Sequence, residues 1–313
     1  MNVLASFAKE AETFQGIKIV QFLSARRKGE LYAITSGLSY SLIGYFGMSM
    51  YNAGLSINNM LFWRFLLTGV IVGFLVITRT KAIRINYSQL AMVLFLGAPL
   101  YCLGSITCFI AFKYIGTGLT LVIFFTYPAF VMFANWLLYR THISRTYYIS
   151  VIIIIIGLLL LVDINQFKFD MIGIGFSLIS SVSYASYIVV SKKVANIDAM
   201  ISTFLVSIIS AIICLILAIM DESYFMPLNF EVWLNIAGVA IICTAIPIIL
   251  FLASIKYISS EEASILSVLE PVFVVIFGVT LLGEKISTLQ FLGVTTILAG
   301  ALMTLFSKHV KAH

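Results

Sequence analysis

Glu270 and Pro271 stand side by side inside the stretch Ser259–Ser287, SSEEASILSVLEPVFVVIFGVTLLGEKIS, whose apolar part is long enough to cross a bilayer as a helix. An acid at that depth costs roughly 2.5–3.5 kcal/mol on the insertion scale, so it needs a reason to be there. A proline inside the same helix removes a backbone donor and leaves a carbonyl seeking another partner. Two chemistries follow for Glu270: it holds a cationic group of a bound molecule, or it carries a proton. The structural alternative pairs it with Arg64, the other charge set within an apolar run, in Leu61-Phe62-Trp63-Arg64-Phe65.

The stretch has a counterpart. A shift of 143 positions lays Glu270-Pro271-Val272-Phe273-Val274 over Tyr127-Pro128-Ala129-Phe130-Val131. At three- and four-residue spacing Glu270 shares its helix face with Ser267, while Tyr127 shares its face with Thr120 and Phe124. One copy therefore offers an acid and the other an aromatic ring. Polar stripes at helical spacing add Ser36 and Tyr40, then Tyr101 with Ser105 and Cys108, then Ser177, Tyr184 and Tyr187. Small residues on such faces pack helices together, but a tyrosine hydroxyl in an apolar setting wants a polar partner. The candidate binding residues are Glu270, Tyr127, Phe124, Ser267, Tyr40, Tyr184 and Tyr101. Arg64, Pro128 and Pro271 are expected in structural or coupling roles.

Other chemistries find no support in the residues. His142, His309 and His313 all lie in a predicted loop or in the tail, and Cys102, Cys108, Cys214 and Cys243 lie in apolar runs without metal-ligand or CxxC spacing. The expectation is no enzyme activity, no metal and no cofactor. No GxxxxGK[ST] loop is present, so any driving force is expected to be a gradient, with protons as a candidate coupling ion.

The elements that must position these residues are membrane spans. Hydrophobic residues make up 61% of the chain and charged residues 10%, with a mean hydropathy of +1.09. A soluble domain carries about 25% charged residues, so the chain is read as an integral membrane protein. The net charge of +6 is scattered over many loops, which fits membrane orientation and argues against a nucleic-acid partner.

Ten spans are predicted: residues 30–51, 58–78, 88–112, 118–139, 145–162, 171–190, 199–219, 230–254, 262–282 and 286–307. Residues 1–29 are read as a cytoplasmic amphipathic or disordered segment ending in Arg26-Arg27-Lys28. With the amino terminus inside, the loops holding Arg79, Lys81, Arg84, Arg140, Arg145, Lys192, Lys193 and Lys256 are all cytoplasmic, and only Lys113, Lys168 and Lys285 fall outside. That asymmetry places both termini in the cytoplasm, with a bacterial inner membrane as the expected location.

The 143-residue shift also matches Lys113-Tyr114-Ile115 with Lys256-Tyr257-Ile258, Ile143-Ser144 with Ile286-Ser287, and Gly157 with Gly300; with one residue more, Ser39-Tyr40 meets Ser183-Tyr184. The unit holds five helices, so the second copy, residues 171–307, enters the membrane inverted relative to the first, residues 30–162. Inverted copies can exchange conformations and expose one site alternately to each side.

Two five-helix repeats, WRFLLTG in the second span and LEPVFVVIFGVTLLGEKIS in the ninth resemble the EamA-type transporters of the drug/metabolite transporter superfamily. The resemblance spans about Glu30 to Ser307 and marks Arg64, Pro128, Glu270, Pro271 and Glu284 as motif positions. It implies an all-α polytopic fold of ten helices around a central cavity, lined by helices 1, 3, 4, 6, 8 and 9, and export of amino acids or other small metabolites. Multidrug or nucleoside and adenosyl cargo is the alternative, as is a membrane scaffold or sensor that transports nothing. The expected partners are a small-molecule substrate and the lipid bilayer, and the chain is a monomer or homodimer.

Overall fold

A computed structural model describes residues 24–43, 45, 46, 50, 53–79, 86–140, 142–162, 170–282 and 286–306. The proposed amino-terminal segment up to residue 23 and the Gly283-Glu284 motif lie outside the described residues. All regular structure among the described residues is helical. The elements are α1 (24–40), α2 (Ile57–Arg79), α3 (Tyr87–Phe124), α4 (Tyr127–Tyr139), α5 (Arg145–Leu161), α6 (Met171–Lys193), α7 (Ala199–Met220), α8 (Phe230–Ser254), α9 (Ser260–Ser267), α10 (Glu270–Leu282) and α11 (Thr288–Leu305).

Six of these helices are long and apolar enough to cross a bilayer on their own. A straight α3 of 38 residues would run about 57 Å, well beyond the hydrocarbon core. It is broken at Gly116, where φ 74 and ψ 168 lie outside helical space. That backbone region is open essentially to glycine alone, so Gly116 ends the third span and the fourth begins after it. The ninth span is likewise made of two pieces, α9 and α10. The ten-span architecture expected from the sequence follows.

Helix starts repeat between the halves because their caps do. Asn86 and Asn229, 143 positions apart, each accept a backbone N–H two residues on, opening α3 and α8. Ser144 and Ser287 likewise cap α5 and α11, Ser144 accepting the N–H of Thr146 and Ser287 that of Gln290, whose side chain returns the bond.

Packing between the halves is reciprocal. A Cβ on Gly157 would lie 2.9 Å from the carbonyl oxygen of Gly293, and one on Gly300 would lie 2.9 Å from that of Ser150. Gly157 corresponds to Gly300 and Ser150 to Gly293, so α5 and α11 meet through the same contact made twice in opposite chain directions. Reciprocal contacts of this kind are the mark of a two-fold axis. Here the related helices are antiparallel, so the axis lies across them, in the plane of the membrane. Two further bonds obey the same relation: Ser36 Oγ donates to Pro247 O at 2.8 Å and Ser180 Oγ to Gly104 O at 2.7 Å. Small residues bring these backbones together, as expected where lipid supplies no hydrophobic drive for helix association.

Candidate functional site

The fourth and ninth spans break at matching places. Phe125 (φ −70, ψ 6) ends one helix before Tyr127 begins the next, and Val268 (φ −71, ψ 4) does so before Glu270. Pro128 and Pro271 therefore occupy the first turns of α4 and α10. A mid-helix proline was expected from the sequence; the structure instead uses each proline where its missing N–H has no intrahelical partner to lose.

Each break exposes backbone oxygens, and neighbouring helices answer them. Ser181 Oγ on α6 donates to Phe124 O at 3.0 Å, and Ser177 Oγ donates to Thr120 O at 2.8 Å. Tyr127 OH crosses between the two broken spans to Ser264 O at 3.1 Å. On the other side Gly37 of α1, the counterpart of Ser181, packs so closely that a Cβ would lie 3.0 Å from Ser267 O. Irregular backbone in a membrane is tolerated only where protein or a cavity satisfies it.

Aromatic rings gather at these breaks. Tyr184 lies 4.9 Å from Tyr127, ring edge to face, 5.4 Å from Phe124 and 6.2 Å from Tyr101. Phe124 is 5.4 Å from Tyr127, and Tyr187 is 5.0 Å from Tyr101. The hydroxyls of Tyr40 and Tyr101 are 3.3 Å apart. Five of the candidate residues, Tyr40, Tyr101, Tyr184, Phe124 and Tyr127, thus form one connected cluster contributed by α1, α3, α4 and α6. Tyr101 and Tyr127 are buried, whereas Tyr40, Phe124 and Tyr184 keep free surface although they sit between helices.

Glu270 joins this cluster at the start of α10, and its charge reaches Tyr127 and Tyr184. It too retains free surface, and no described residue forms a hydrogen bond or ion pair with its carboxylate. Ser267, one turn earlier, is buried and spends its hydroxyl proton on Ala263 O at 2.9 Å.

Arg64 is placed elsewhere. Its Nε donates to Thr244 Oγ1 at 2.7 Å, its Nη2 lies 3.4 Å from Tyr101 OH, and its guanidinium rests 5.2 Å from the Phe65 ring. The lock between Arg64 and Glu270, weighed as an alternative on the sequence, is not formed; Arg64 contributes only a longer-range field at Glu270. Thr244 can reach Arg64 because α8 carries a π turn at Ile241–Ala245, just ahead of Pro247. The turn adds one residue to the helical ring and re-aims the side chains after it. Apolar patterning carries no sign of that turn. A second π turn, Val93–Gly97, precedes Pro99 in α3.

Chemically, the assembly offers one carboxylate beside aromatic faces. Such an arrangement has the chemistry to hold an organic cation, through charge and through the ring quadrupoles. Among the described residues no group of three or more His, Cys, Asp and Glu could hold a metal ion.

Comparison with known proteins agrees with the two-repeat fold. The model of the EamA-like transporter family matches twice, over residues 27–163 and 171–306. An uncharacterized transporter of Archaeoglobus fulgidus is 28% identical over 225 residues, 69% of this chain and 77% of the relative. The uncharacterized transporter YxxF of Bacillus subtilis is 24% identical over 209 residues, 66% of this chain and 67% of its own length. A solved crystal structure superposes with a TM-score of 0.75 over 88% of this chain and 95% of its own, at 15% identity, which speaks for the fold alone. With both repeats of the family model covering nearly the whole chain, this integral membrane protein belongs to the EamA-like transporter family.

Proposed function

We propose that the chain is a secondary active transporter of small amine-bearing metabolites, amino acids and amino-acid-like compounds foremost, and that it works as an exporter by alternating access between its inverted repeats. The observation that carries this reading is Glu270: a carboxylate without a protein partner among the described residues, with free surface, beside the rings of Tyr127 and Tyr184. An ionisable group at membrane depth is retained where it has work to do. An amine satisfies the acid, and the connected rings of Tyr40, Tyr101, Phe124, Tyr127 and Tyr184 suit a flat or apolar remainder. Protons are the coupling ion proposed, with Glu270 as the group that exchanges proton and substrate.

The size of the ring cluster supports a second cargo, nucleosides and adenosyl compounds or planar cationic drugs, which stack on aromatic faces.

Orientation is read from charge. Arg26 reaches Leu305 O and Glu262, Lys192 reaches the carbonyls of Ile255 and Ile258, and Lys193 lies over the Tyr139 ring, so these basic residues share one end of the molecule. At the opposite end Asn58 donates to Asp221 at 2.7 Å. A basic end and an acidic end support cytoplasmic termini in a bacterial inner membrane.

Uptake into proteoliposomes tests the reading. Purified protein is assayed against amino acids, nucleosides and cationic dyes, with and without an imposed proton gradient. Gradient-dependent movement of an amine-bearing compound is the expected result; movement of none of the panel under either condition contradicts it.

A further inference from the structure

The two ends of the broken spans are not alike. Where α9 begins, a polar cluster binds six segments together. Arg26, just ahead of the first span, pairs with Glu262 at 2.9 Å and Glu30 at 2.8 Å and donates to Leu305 O at 3.2 Å. Tyr147 OH of α5 donates to the other oxygen of Glu262 at 3.3 Å. Asn135 Nδ2 of α4 donates to Glu261 Oε1 at 2.6 Å and to Ser260 Oγ at 3.0 Å. Lys192 of α6 donates to the carbonyls of Ile255 and Ile258, and its charge reaches Glu261. Glu262 is fully buried and Glu261, Ser260 and Asn135 nearly so.

The inverted repeat supplies a built-in comparison, because the α9 and α5 positions of the cluster have described counterparts at the other end. Shifted back by 143, Ser260-Glu261-Glu262 become Thr117-Gly118-Leu119, Tyr147 corresponds to Gln290, and the cap Ser259 corresponds to the broken Gly116. At that end lies an open groove of about 270 Å³, lined by Thr117, Gly118, Leu121, Pro271, Val275 and Gln290. The matching latch-end positions are Ser260, Glu261, Ser264, Pro128, Met132 and Tyr147, and there the space is filled and bonded. Pro271, the chain neighbour of Glu270, is part of its lining.

We propose that Arg26, Glu262, Tyr147, Asn135, Glu261 and Lys192 form a latch that holds this end shut, so that the structure is the state open at the groove end, and that the cycle requires the Arg26–Glu262 pair to part. This rests on the transport reading above. A two-fold related fold has two equivalent closures available to it; among the described residues only this one carries ion pairs, which biases the population toward that closure. A buried pair of charges that separates must be rehydrated together, so the latch opens as one unit.

Two cysteine probes at equivalent positions, Leu121→Cys in the groove and Ser264→Cys at the latch, test this in nanodiscs, with the four native cysteines replaced by alanine. Leu121→Cys is expected to react with a membrane-impermeant maleimide, and Ser264→Cys to react slowly. Glu262→Gln, or the milder Tyr147→Phe, is expected to raise the Ser264→Cys rate about tenfold and to slow Leu121→Cys, as a two-state shift demands. Exchanging the pair, Arg26→Glu with Glu262→Arg, returns both rates toward their starting values. The proposal is overturned if Ser264→Cys reacts as fast as Leu121→Cys with the latch intact, if neither rate moves in Tyr147→Phe and Glu262→Gln, or if the exchanged pair labels like Glu262→Gln. The labelling needs no substrate: a rate shift without any transported compound leaves the latch standing and removes the transport reading, whereas unchanged rates with active transport remove the latch alone.

Discussion

Arg64 Nε is bonded to Thr244 Oγ1 at 2.7 Å, which commits this buried cation to α8 and leaves Glu270, at the head of α10, without an ion-pair partner among the described residues. The consequence is a division of labour between the two charges that the sequence sets within apolar runs. Arg64 ties α2 to α8 and, through Tyr101, to α3. Glu270 is the group proposed to meet a ligand.

That division predicts opposite effects on stability for neutralising Glu270 and for removing the anchor of Arg64. Glu270→Gln removes a charge from membrane depth without breaking a bond, so thermal unfolding in detergent is expected to leave the melting temperature unchanged or raise it, by up to about 2 kcal/mol of stabilisation. A melting temperature lowered by several degrees would mean that Glu270 holds the fold together.

Thr244→Val deletes the hydroxyl that anchors Arg64 while keeping the side-chain volume. Hydrogen bonds between membrane helices average about 0.6 kcal/mol and reach about 1.7 kcal/mol. A loss in that range is expected, larger than that of Thr280→Val, whose hydroxyl bonds only to Ile276 O in its own helix on an exposed face. Equal losses in the two variants would show that the Arg64 bond contributes nothing.

Gly116 is a conformational requirement and not a packing one, since a Cβ there would meet nothing within 4 Å. Its φ 74, ψ 168 costs about 1–3 kcal/mol for any other residue. Gly116→Ala and Gly116→Asn are therefore expected to destabilise alike, because asparagine tolerates the left-handed helical region but not this one. An asparagine variant as stable as the parent would contradict the assignment.

Gly157 and Gly300 form the reciprocal test. Gly157→Ala would place its Cβ 2.7 Å from Ile297 and 2.9 Å from Gly293 O, and Gly300→Ala would place one 2.7 Å from Ile154 and 2.9 Å from Ser150 O. Both contacts involve backbone that cannot move aside, so each is expected to cost about 1–3 kcal/mol, the usual range for overpacking. Gly175→Ala, with nothing within 4 Å, is the control and is expected to be neutral or stabilising. Differing costs at Gly157 and Gly300 would break the two-fold relation that the packing displays.

Much of this architecture was legible in the chain because membrane spans announce themselves by length and apolarity, and because the duplication repeats caps as well as cores. Asn86 and Asn229, or Ser144 and Ser287, stand 143 positions apart and start helices in both halves. Helical spacing marks Tyr40, Tyr101, Phe124, Tyr127 and Tyr184 one span at a time, and their meeting across spans is seen only in the structure. The breaks after Phe124 and Ser267 are not visible, since Phe125-Thr126 and Val268-Leu269 are ordinary residues in an apolar run; the prolines mark the region, but as residues inside a continuous helix that free a backbone carbonyl. The π turn that delivers Thr244 to Arg64 leaves no pattern in composition. The latch was missed for a different reason: Glu261 and Glu262 lie near Lys256 in sequence, yet Glu262 finds Arg26 and Tyr147, more than a hundred positions away.

The most direct test of the central claim compares ligand affinity with and without the acid. Binding to the purified protein is measured by calorimetry for the amino compound that proteoliposomes transport best and for its analogue lacking the amine, in the parent chain and in Glu270→Gln. The account predicts that the parent prefers the amine by at least about tenfold, a difference of about 1.4 kcal/mol, and that Glu270→Gln loses this preference. A variant that still prefers the amine by the same factor would contradict the role given to Glu270.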